Sequence, residues 1–128
     1  MKQFTYTFAL CILLTLISIA ARSQTFSPPM QIPPSLSANF GELRNNHFHS
    51  GLDYRTQLKV NIPVYAIGDG YVSRINVSPA GFGLALYISH PSGQTSVYGH
   101  LNSFSKKIAD YIRAKQYEKE TYRIDVDR

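Results

Sequence analysis

The alternation of apolar and polar residues predicts short antiparallel strands along most of the chain. The segment "VYAIGDGYVSRINV" fits a hairpin, with strands at Val64–Ile67 and Tyr71–Val77 joined by a Gly-Asp-Gly turn. A second hairpin is expected from Leu84–His90 and Gln94–His100, which flank a Pro-Ser-Gly turn. The expected fold class is therefore mostly β, a compact antiparallel or sandwich-like sheet.

The C-terminal region has a different periodicity. Residues 104–119 predict an amphipathic helix with its N-cap at Asn102 or Ser103, because apolar side chains recur at helical spacing: Phe104, Ile108, Tyr111 and Ile112. We interpret this helix as one that packs on the sheet rather than on a membrane. The alternating segment "TYRIDV" then predicts a final strand, which ends within two residues of Arg128.

The N-terminal residues 1–23 have the pattern of a secretory signal peptide. Lys2 precedes an apolar run over Phe8–Ala20, and Ala21-Arg22-Ser23 fits a cleavage site. An uncleaved signal anchor is the alternative, although the run is short for a bilayer span. We therefore expect export to the periplasm, cell envelope or exterior, without stable membrane insertion after cleavage.

Composition narrows the chemistry of the exported part. Residues 24–35 contain two Pro-Pro pairs and predict an extended leader outside the core, followed by the folded domain at 36–128. Beyond residue 23 there is no cysteine, so a metal site must use His, Asp or Glu. The balance there is 11 Lys and Arg against 8 Asp and Glu, or +3. Such a mild charge suits an anionic envelope polymer and argues against nucleic acid as a partner.

The stretch "NNHFHSGLDYR" contains the main candidate for a metal site. In an extended strand the α-carbons of His49 and Asp53 would stand about 13 Å apart, too far for a shared ion. A bend at Ser50-Gly51 would bring the two side chains together, and glycine permits such a bend. The other interpretation is an ordinary polar turn, in which His47 and His49 are half-exposed loop residues and Asp53 caps the turn.

Two further histidines lie on the second hairpin. With a three-residue turn, His90 pairs with Gln94 beside the turn and His100 lies opposite Leu84, so that about 20 Å of strand separates the two histidines. They cannot share a site. We interpret His90 as a structural residue at a surface turn. His100 lies beside the Gly81-Phe82-Gly83 bend, where a ligand could approach closely.

Taken together, three elements resemble the lysostaphin/LytM-type zinc endopeptidases. They are "FGELRNNHFHSGLDY", "PVYAIGDGYVSRI" and "GFGLALYISHPSGQTSVYGHL", in the order and at about the spacing of that family. The resemblance covers about Leu36 to Leu101. It implies a largely antiparallel β fold with a narrow groove that hydrolyses peptide bonds in the stem peptides or cross-bridges of bacterial peptidoglycan.

The resemblance also implies roles for individual residues. His49 and Asp53 match two ligands of one Zn²⁺ ion, and His100 matches a catalytic histidine that is not a ligand. The implied chemistry is metal-assisted hydrolysis, in which zinc polarises the scissile carbonyl and makes its bound water more acidic. A neutral His100 would then accept the water proton or stabilise the oxyanion.

The chain departs from the family at the third zinc ligand. That ligand comes from a downstream H-x-H element, and no histidine follows His100. We therefore expect 36–128 to be the N-terminal part of a catalytic domain, from a fragment or a truncated gene, and to be inactive by itself. The alternative is a degenerate, non-catalytic envelope module that binds peptidoglycan or regulates a partner hydrolase. A product that lacks closing strands and does not fold stably is a third possibility.

Overall fold

A computed structural model describes residues 24–128 of the protein; the predicted signal peptide lies outside the described residues. Mostly β was the expected class, and it is confirmed. Within residues 24–128, six strands and one helix follow one another: β1 (Leu36–Ala38), β2 (Asp53–Tyr54), β3 (Tyr71–Val77), β4 (Leu84–Ser89), β5 (Thr95–Leu101), α1 (Lys106–Glu118) and β6 (Ile124–Asp127). Within the described part, no helix is both long enough and apolar enough to cross a bilayer.

The strands form two antiparallel sheets. β1 and β2 make a small sheet, and the other four strands are ordered β5-β4-β3-β6. The second predicted hairpin is confirmed as β4 and β5, with Ser89 opposite Thr95 next to the turn. The predicted final strand is confirmed as β6, which pairs with β3. The hydrogen bonds of β3 are thus used on both of its edges.

The first predicted hairpin is wrong in its first strand. Residues 64–67 form no strand and do not pair with β3. They lie antiparallel to the leader instead: the Ser27 amide donates to the carbonyl of Ile67 at 2.7 Å, and the Tyr65 amide donates to that of Pro29 at 2.8 Å. The leader was expected outside the core, yet its Met30 is buried. Proline carbonyls can accept a hydrogen bond although the residue donates none, which is why a Pro-rich segment can still pair along one edge.

The core lies between the four-stranded sheet and α1. Its buried side chains come from β3, β6 and the helix: Ile75, Val77, Ile124 and Ile112. Phe104 and Ile108 pack against this cluster, as the helical spacing predicted, whereas Tyr111 is exposed. The helix has its N-cap at Ser105 rather than at Asn102 or Ser103, because β5 continues to Leu101 and leaves those two residues in the connection.

An ion pair ties β6 to β3 on the sheet surface. Arg74 Nε donates to Asp125 Oδ1 at 2.7 Å, and the Arg74 guanidinium lies 5.1 Å from the centre of the Tyr87 ring. The hydrogen bond from Arg74 lowers the pKa of the Asp125 carboxyl. A lowered carboxyl pKa stabilises the fold above the ordinary carboxyl range, and this contribution is lost as the pH falls through the lowered value. Because the pair is exposed to solvent, the contribution is modest.

The C-terminus of α1 ends in a Schellman motif. The Thr121 amide donates to the Gln116 carbonyl and the Glu120 amide donates to that of Tyr117, at 3.1 and 3.3 Å. Glu120 occupies the left-handed position of this motif with φ 47°. Glycine is usual there, since a side chain in the left-handed region costs about 1–2 kcal/mol.

Replacing Glu120 with glycine should therefore stabilise the protein. We expect Glu120→Gly to raise the free energy of unfolding by about 1 kcal/mol, because glycine adopts a positive φ without strain. Ala114→Gly in the middle of α1 is the matched control and should lower it by about 1 kcal/mol. Urea unfolding followed by circular dichroism measures both. Equal destabilisation by the two substitutions would show that Glu120 is not strained.

Candidate metal centre and catalytic histidine

A tight hairpin before β2 positions the first candidate ligand. Leu43 and Phe48 form an antiparallel bridge within it. The Gly41 amide donates to the His49 carbonyl at 2.7 Å, and the His49 amide donates to the Glu42 carbonyl at 2.8 Å. These bonds fix the backbone of His49 on both sides, so the imidazole is held by a hairpin rather than by a free loop.

The structure brings His49 and Asp53 together. His49 Nε2 lies 3.2 Å from Asp53 Oδ1. Zinc bonds to nitrogen and oxygen are about 2.0–2.2 Å long, so two ligand atoms on one tetrahedral ion stand about 3.3 Å apart. The predicted bend is therefore present, and the two atoms fit one edge of a zinc tetrahedron. Their role as ligands remains a prediction.

The hydrogen bond of His49 Nδ1 determines which ring nitrogen is available to a metal ion. Nδ1 lies 2.9 Å from the backbone carbonyl oxygen of Asn39, which can only accept a hydrogen bond, so Nδ1 carries a proton. In a neutral imidazole Nε2 is then an acceptor, and it faces a carboxylate oxygen that is also an acceptor. Two acceptors at 3.2 Å are stable only with a proton or a metal ion between them. A backbone carbonyl on the second nitrogen is also the usual support of a histidine ligand.

Arg44 holds the second oxygen of Asp53. Its Nη2 donates to Asp53 Oδ2 at 2.8 Å, which leaves Oδ1 directed toward His49. Arg44 Nε is buried and has no hydrogen-bond partner within residues 24–128. Arg44 precedes Asp53 by nine residues, and the contact forms because the intervening chain folds back. No periodic pattern in the sequence indicates this contact.

Gly51 leaves space beside the candidate ligands rather than permitting the bend. Its φ is not in the left-handed region, so the bend itself does not require glycine. A Cβ built at this position would lie 3.7 Å from His49 Nε2, in van der Waals contact with the candidate ligand atom. The absence of a side chain therefore keeps the space beside Nε2 open.

A third ligand does not join the pair within the described chain. Among residues 24–128, no three His, Cys, Asp or Glu side chains are grouped as a metal site. The exposed His47 is turned to Asn46, with Nδ1 2.7 Å from Oδ1. The donors present thus fit two positions of a zinc site, one fewer than the three protein ligands of a catalytic zinc.

His100 lies at a bulge in β5. Leu84 pairs with Leu101 and Leu86 with Tyr98, so β5 contains one more residue than β4 over this interval. The expected register, with His100 opposite Leu84, is therefore wrong by one residue. His100 has φ 54° and is exposed. Its role as a catalytic residue stays a prediction, and no hydrogen bond or ion pair within the described residues joins it to His49 or Asp53.

Phe82 sets the direction of the His100 ring. The His100 amide donates to the Phe82 carbonyl at 2.8 Å, and the two rings meet edge to face with centroids 6.2 Å apart. Phe82 also covers Gly99, where an added Cβ would lie 3.0 Å from the ring. Gly99 therefore lets the Phe82 bend approach β5 closely.

His90 is structural, but it is buried rather than at the surface. Its side chain lies between Asp69 and Ser96: Nδ1 donates to the Asp69 carbonyl at 2.7 Å, and Nε2 lies 2.9 Å from Ser96 Oγ. The ring of Phe26 packs against it edge to face. Both nitrogens are thus occupied within the domain, and the leader covers the ring.

Comparison with known proteins assigns the family. The chain belongs to peptidase family M23, because the model of that family matches residues 47–117, more than half of its length. The matched segment includes both candidate ligands and His100. No significant match to a curated protein or to a solved structure was found. Membership makes this a peptidase-type domain, a class of hydrolase, in agreement with the resemblance of its sequence motifs.

The geometry of His49 leads to a spectroscopic prediction. In ¹⁵N NMR spectra at neutral pH, zinc addition should shift the Nε2 resonance of His49 and leave Nδ1 protonated, since Nδ1 is bonded to the Asn39 carbonyl. The resonances of His47 serve as an internal control and should not move. A zinc-induced shift of His49 Nδ1 instead of Nε2 would contradict the assignment.

Proposed function

We propose that this protein is an exported, zinc-dependent endopeptidase that hydrolyses peptide bonds in the stem peptides or cross-bridges of bacterial peptidoglycan. The observation that supports this most directly is the pair of acceptor atoms, His49 Nε2 and Asp53 Oδ1, held 3.2 Å apart by groups on their far sides. Such an arrangement favours a cation. Family membership supports peptide-bond hydrolysis.

His49 and Asp53 would hold the zinc ion. A third ligand would come from outside this pair. Zinc in such a site supplies Lewis acidity to the scissile carbonyl and to water. Asp53 contributes a negative charge that offsets part of the charge of the ion. Arg44 keeps that carboxylate in one orientation, because its guanidinium occupies Oδ2.

His100 would transfer a proton. It is exposed and its backbone is fixed at the bulge, so its imidazole is accessible to a substrate and to water. A neutral imidazole accepts a proton near pH 7, which is the task of a general base in peptide hydrolysis. In this proposal His100 is a catalytic residue and not a ligand.

Export and the peptidoglycan substrate are supported by the sequence and by the charge. The N-terminal 23 residues follow the signal-peptide pattern, and residues 24–128 contain no cysteine. Their net positive charge suits a polymer that carries free carboxylates, as peptidoglycan stem peptides do. We therefore propose that the protein acts in the periplasm, cell envelope or extracellular space.

Substitution of His49 tests the metal centre. In the protein as the cell produces it, His49→Ala should abolish both zinc binding and clearing of a peptidoglycan suspension, because one of the ligand atoms is removed. Zinc is measured by inductively coupled plasma mass spectrometry, and clearing is followed by turbidity. His47→Ala, two residues away, is the matched control and should retain both. Undiminished hydrolysis by His49→Ala, or in the presence of a chelator, would refute the proposal.

Substitution of His100 separates catalysis from metal binding. His100→Ala should lower kcat about 100-fold or more and leave the zinc content unchanged, since general-base catalysis contributes about 10²–10⁴-fold. His90→Ala is not a suitable control, because it would remove a buried hydrogen-bonded ring. Tyr71→Ala, on the exposed surface of β3, should leave kcat unchanged. Loss of zinc from His100→Ala would make this residue a ligand instead.

A second function is favoured by the ion pairs of Asp53. Arg44 and a protonated His49 together satisfy the carboxylate without any metal. A metal-free module of this kind would bind peptidoglycan or regulate a partner hydrolase. Co-sedimentation with purified sacculi, with zinc measured in the same pellet, distinguishes the two functions. Retention without stoichiometric zinc, together with no hydrolysis, would favour the module.

A further inference from the structure

The end of α1 borders an open groove remote in sequence from the candidate metal centre. Its volume is about 500 Å³, and it is lined by residues of the last helical turns and the connection to β6: Arg113, Gln116, Tyr117, Glu120, Thr121 and Tyr122. Binding sites for small ligands commonly have volumes of 300–1,000 Å³. The groove therefore has the size of a binding site for a short oligomer.

Two exposed tyrosines are the main surfaces of this groove. Tyr117 and Tyr122 are 79% and 62% exposed, although tyrosine has a large apolar ring. The Schellman motif turns the chain back so that both line the same groove, and Gln116 Nε2 fixes the second tyrosine by donating to its carbonyl at 2.8 Å. Their backbones are thus held in place before any ligand binds, which reduces the entropy lost on binding.

The net charge of the described chain lies in the segment that contains this groove. Residues 106–123 contain six Lys and Arg against three Asp and Glu, or +3. The remainder of residues 24–128 contains five of each sign and is neutral. Arg113 lies in the groove with a side chain that is 66% exposed, and its contact with Asp110 is long at 3.8 Å. The groove thus combines aromatic rings with one cation, Arg113, and one anion, Glu120, in a segment of net positive charge.

This combination fits a carbohydrate polymer that carries carboxylates. The C–H groups on the face of a sugar ring have a partial positive charge and are attracted to the negative face of an aromatic ring. The tyrosine hydroxyls, Gln116 and Glu120 can form hydrogen bonds with sugar hydroxyl and acetamido groups. Arg113 and its basic neighbours attract carboxylates.

We propose that Tyr117 and Tyr122 form a binding site for the glycan strand of peptidoglycan, with Arg113 facing the carboxylates of its peptides. The proposal rests on the proposed function, because it names the polymer on which the candidate catalytic residues would act. It is argued from residues other than those of the metal centre, since the groove lining includes neither His49 nor Asp53.

Binding experiments on the intact chain test this site. The soluble probe is tetra-N-acetylchitotetraose, titrated by NMR, and the insoluble probe is purified sacculi in a co-sedimentation assay. We expect Tyr117→Ala/Tyr122→Ala to weaken binding of both probes about tenfold, since two stacking contacts are lost. Tyr117→Phe/Tyr122→Phe should bind nearly as the native chain does, because the rings remain. Tyr71→Ala removes an exposed tyrosine elsewhere and should have no effect.

Charge variants and metal removal complete the experiment. Arg113→Gln should weaken retention on sacculi more than Lys107→Gln, which removes a helix charge outside the groove. Retention should persist with a chelator and in His49→Ala, so failure of the enzymatic proposal would leave this result unchanged. Circular dichroism verifies that α1 is intact in each variant.

Three outcomes would overturn the proposal. The first is equal retention of the native chain and the folded Tyr117→Ala/Tyr122→Ala variant. The second is the absence of any probe-induced shift in the resonances of the groove residues. The third is a dimer, detected by light scattering, that the double alanine variant converts to a monomer without a change in glycan binding.

Discussion

The pairing of β3 on both of its edges is the interaction on which the described fold depends. β3 supplies Ile75 and Val77 to the core, and these side chains are buried because β4 and β6 flank them and α1 covers them. β4 pairs with β3 on one edge and with β5 on the other. The position of His100 therefore depends on hydrogen bonds that begin two strands away. The segment at 64–67 does not pair with β3 and is hydrogen-bonded to the leader instead.

At the candidate metal centre, the decisive constraint is the arrangement of hydrogen-bond acceptors. The Asn39 carbonyl requires a proton on His49 Nδ1, and Arg44 occupies Oδ2 of Asp53. Nε2 and Oδ1 are then left facing each other with no donor between them unless a proton is added. The hairpin before β2 maintains this geometry through backbone bonds. The contacts of Asn39 with His49 and of Arg44 with Asp53 therefore favour a cation between Nε2 and Oδ1.

The sequence patterns predicted those features that depend on residues close together in the chain. Alternation predicted β4, β5 and β6, and the length of an extended strand showed that His49 and Asp53 can meet only across a bend. The pairing of the leader with 65–67 was not predictable in this way, because it joins segments far apart in sequence and uses proline carbonyls. The contact of Arg44 with Asp53 was missed for the same reason. The bulge that displaces His100 by one residue was not predictable from the pattern of apolar and polar residues in β5.

The two candidate sites share no residue, and two sites on one chain have a physical advantage for a hydrolase that acts on an insoluble polymer. A hydrolytic site must release its cleaved product, so strong binding of the substrate at the reacting bond would slow turnover. A second site that binds the polymer away from that bond keeps the local substrate concentration high without this penalty. The neutral charge balance of the remaining described chain and the positive charge of residues 106–123 fit such a division. Retention would then come from the end of α1, and hydrolysis from His49 on its hairpin, Asp53 in β2 and His100 in β5.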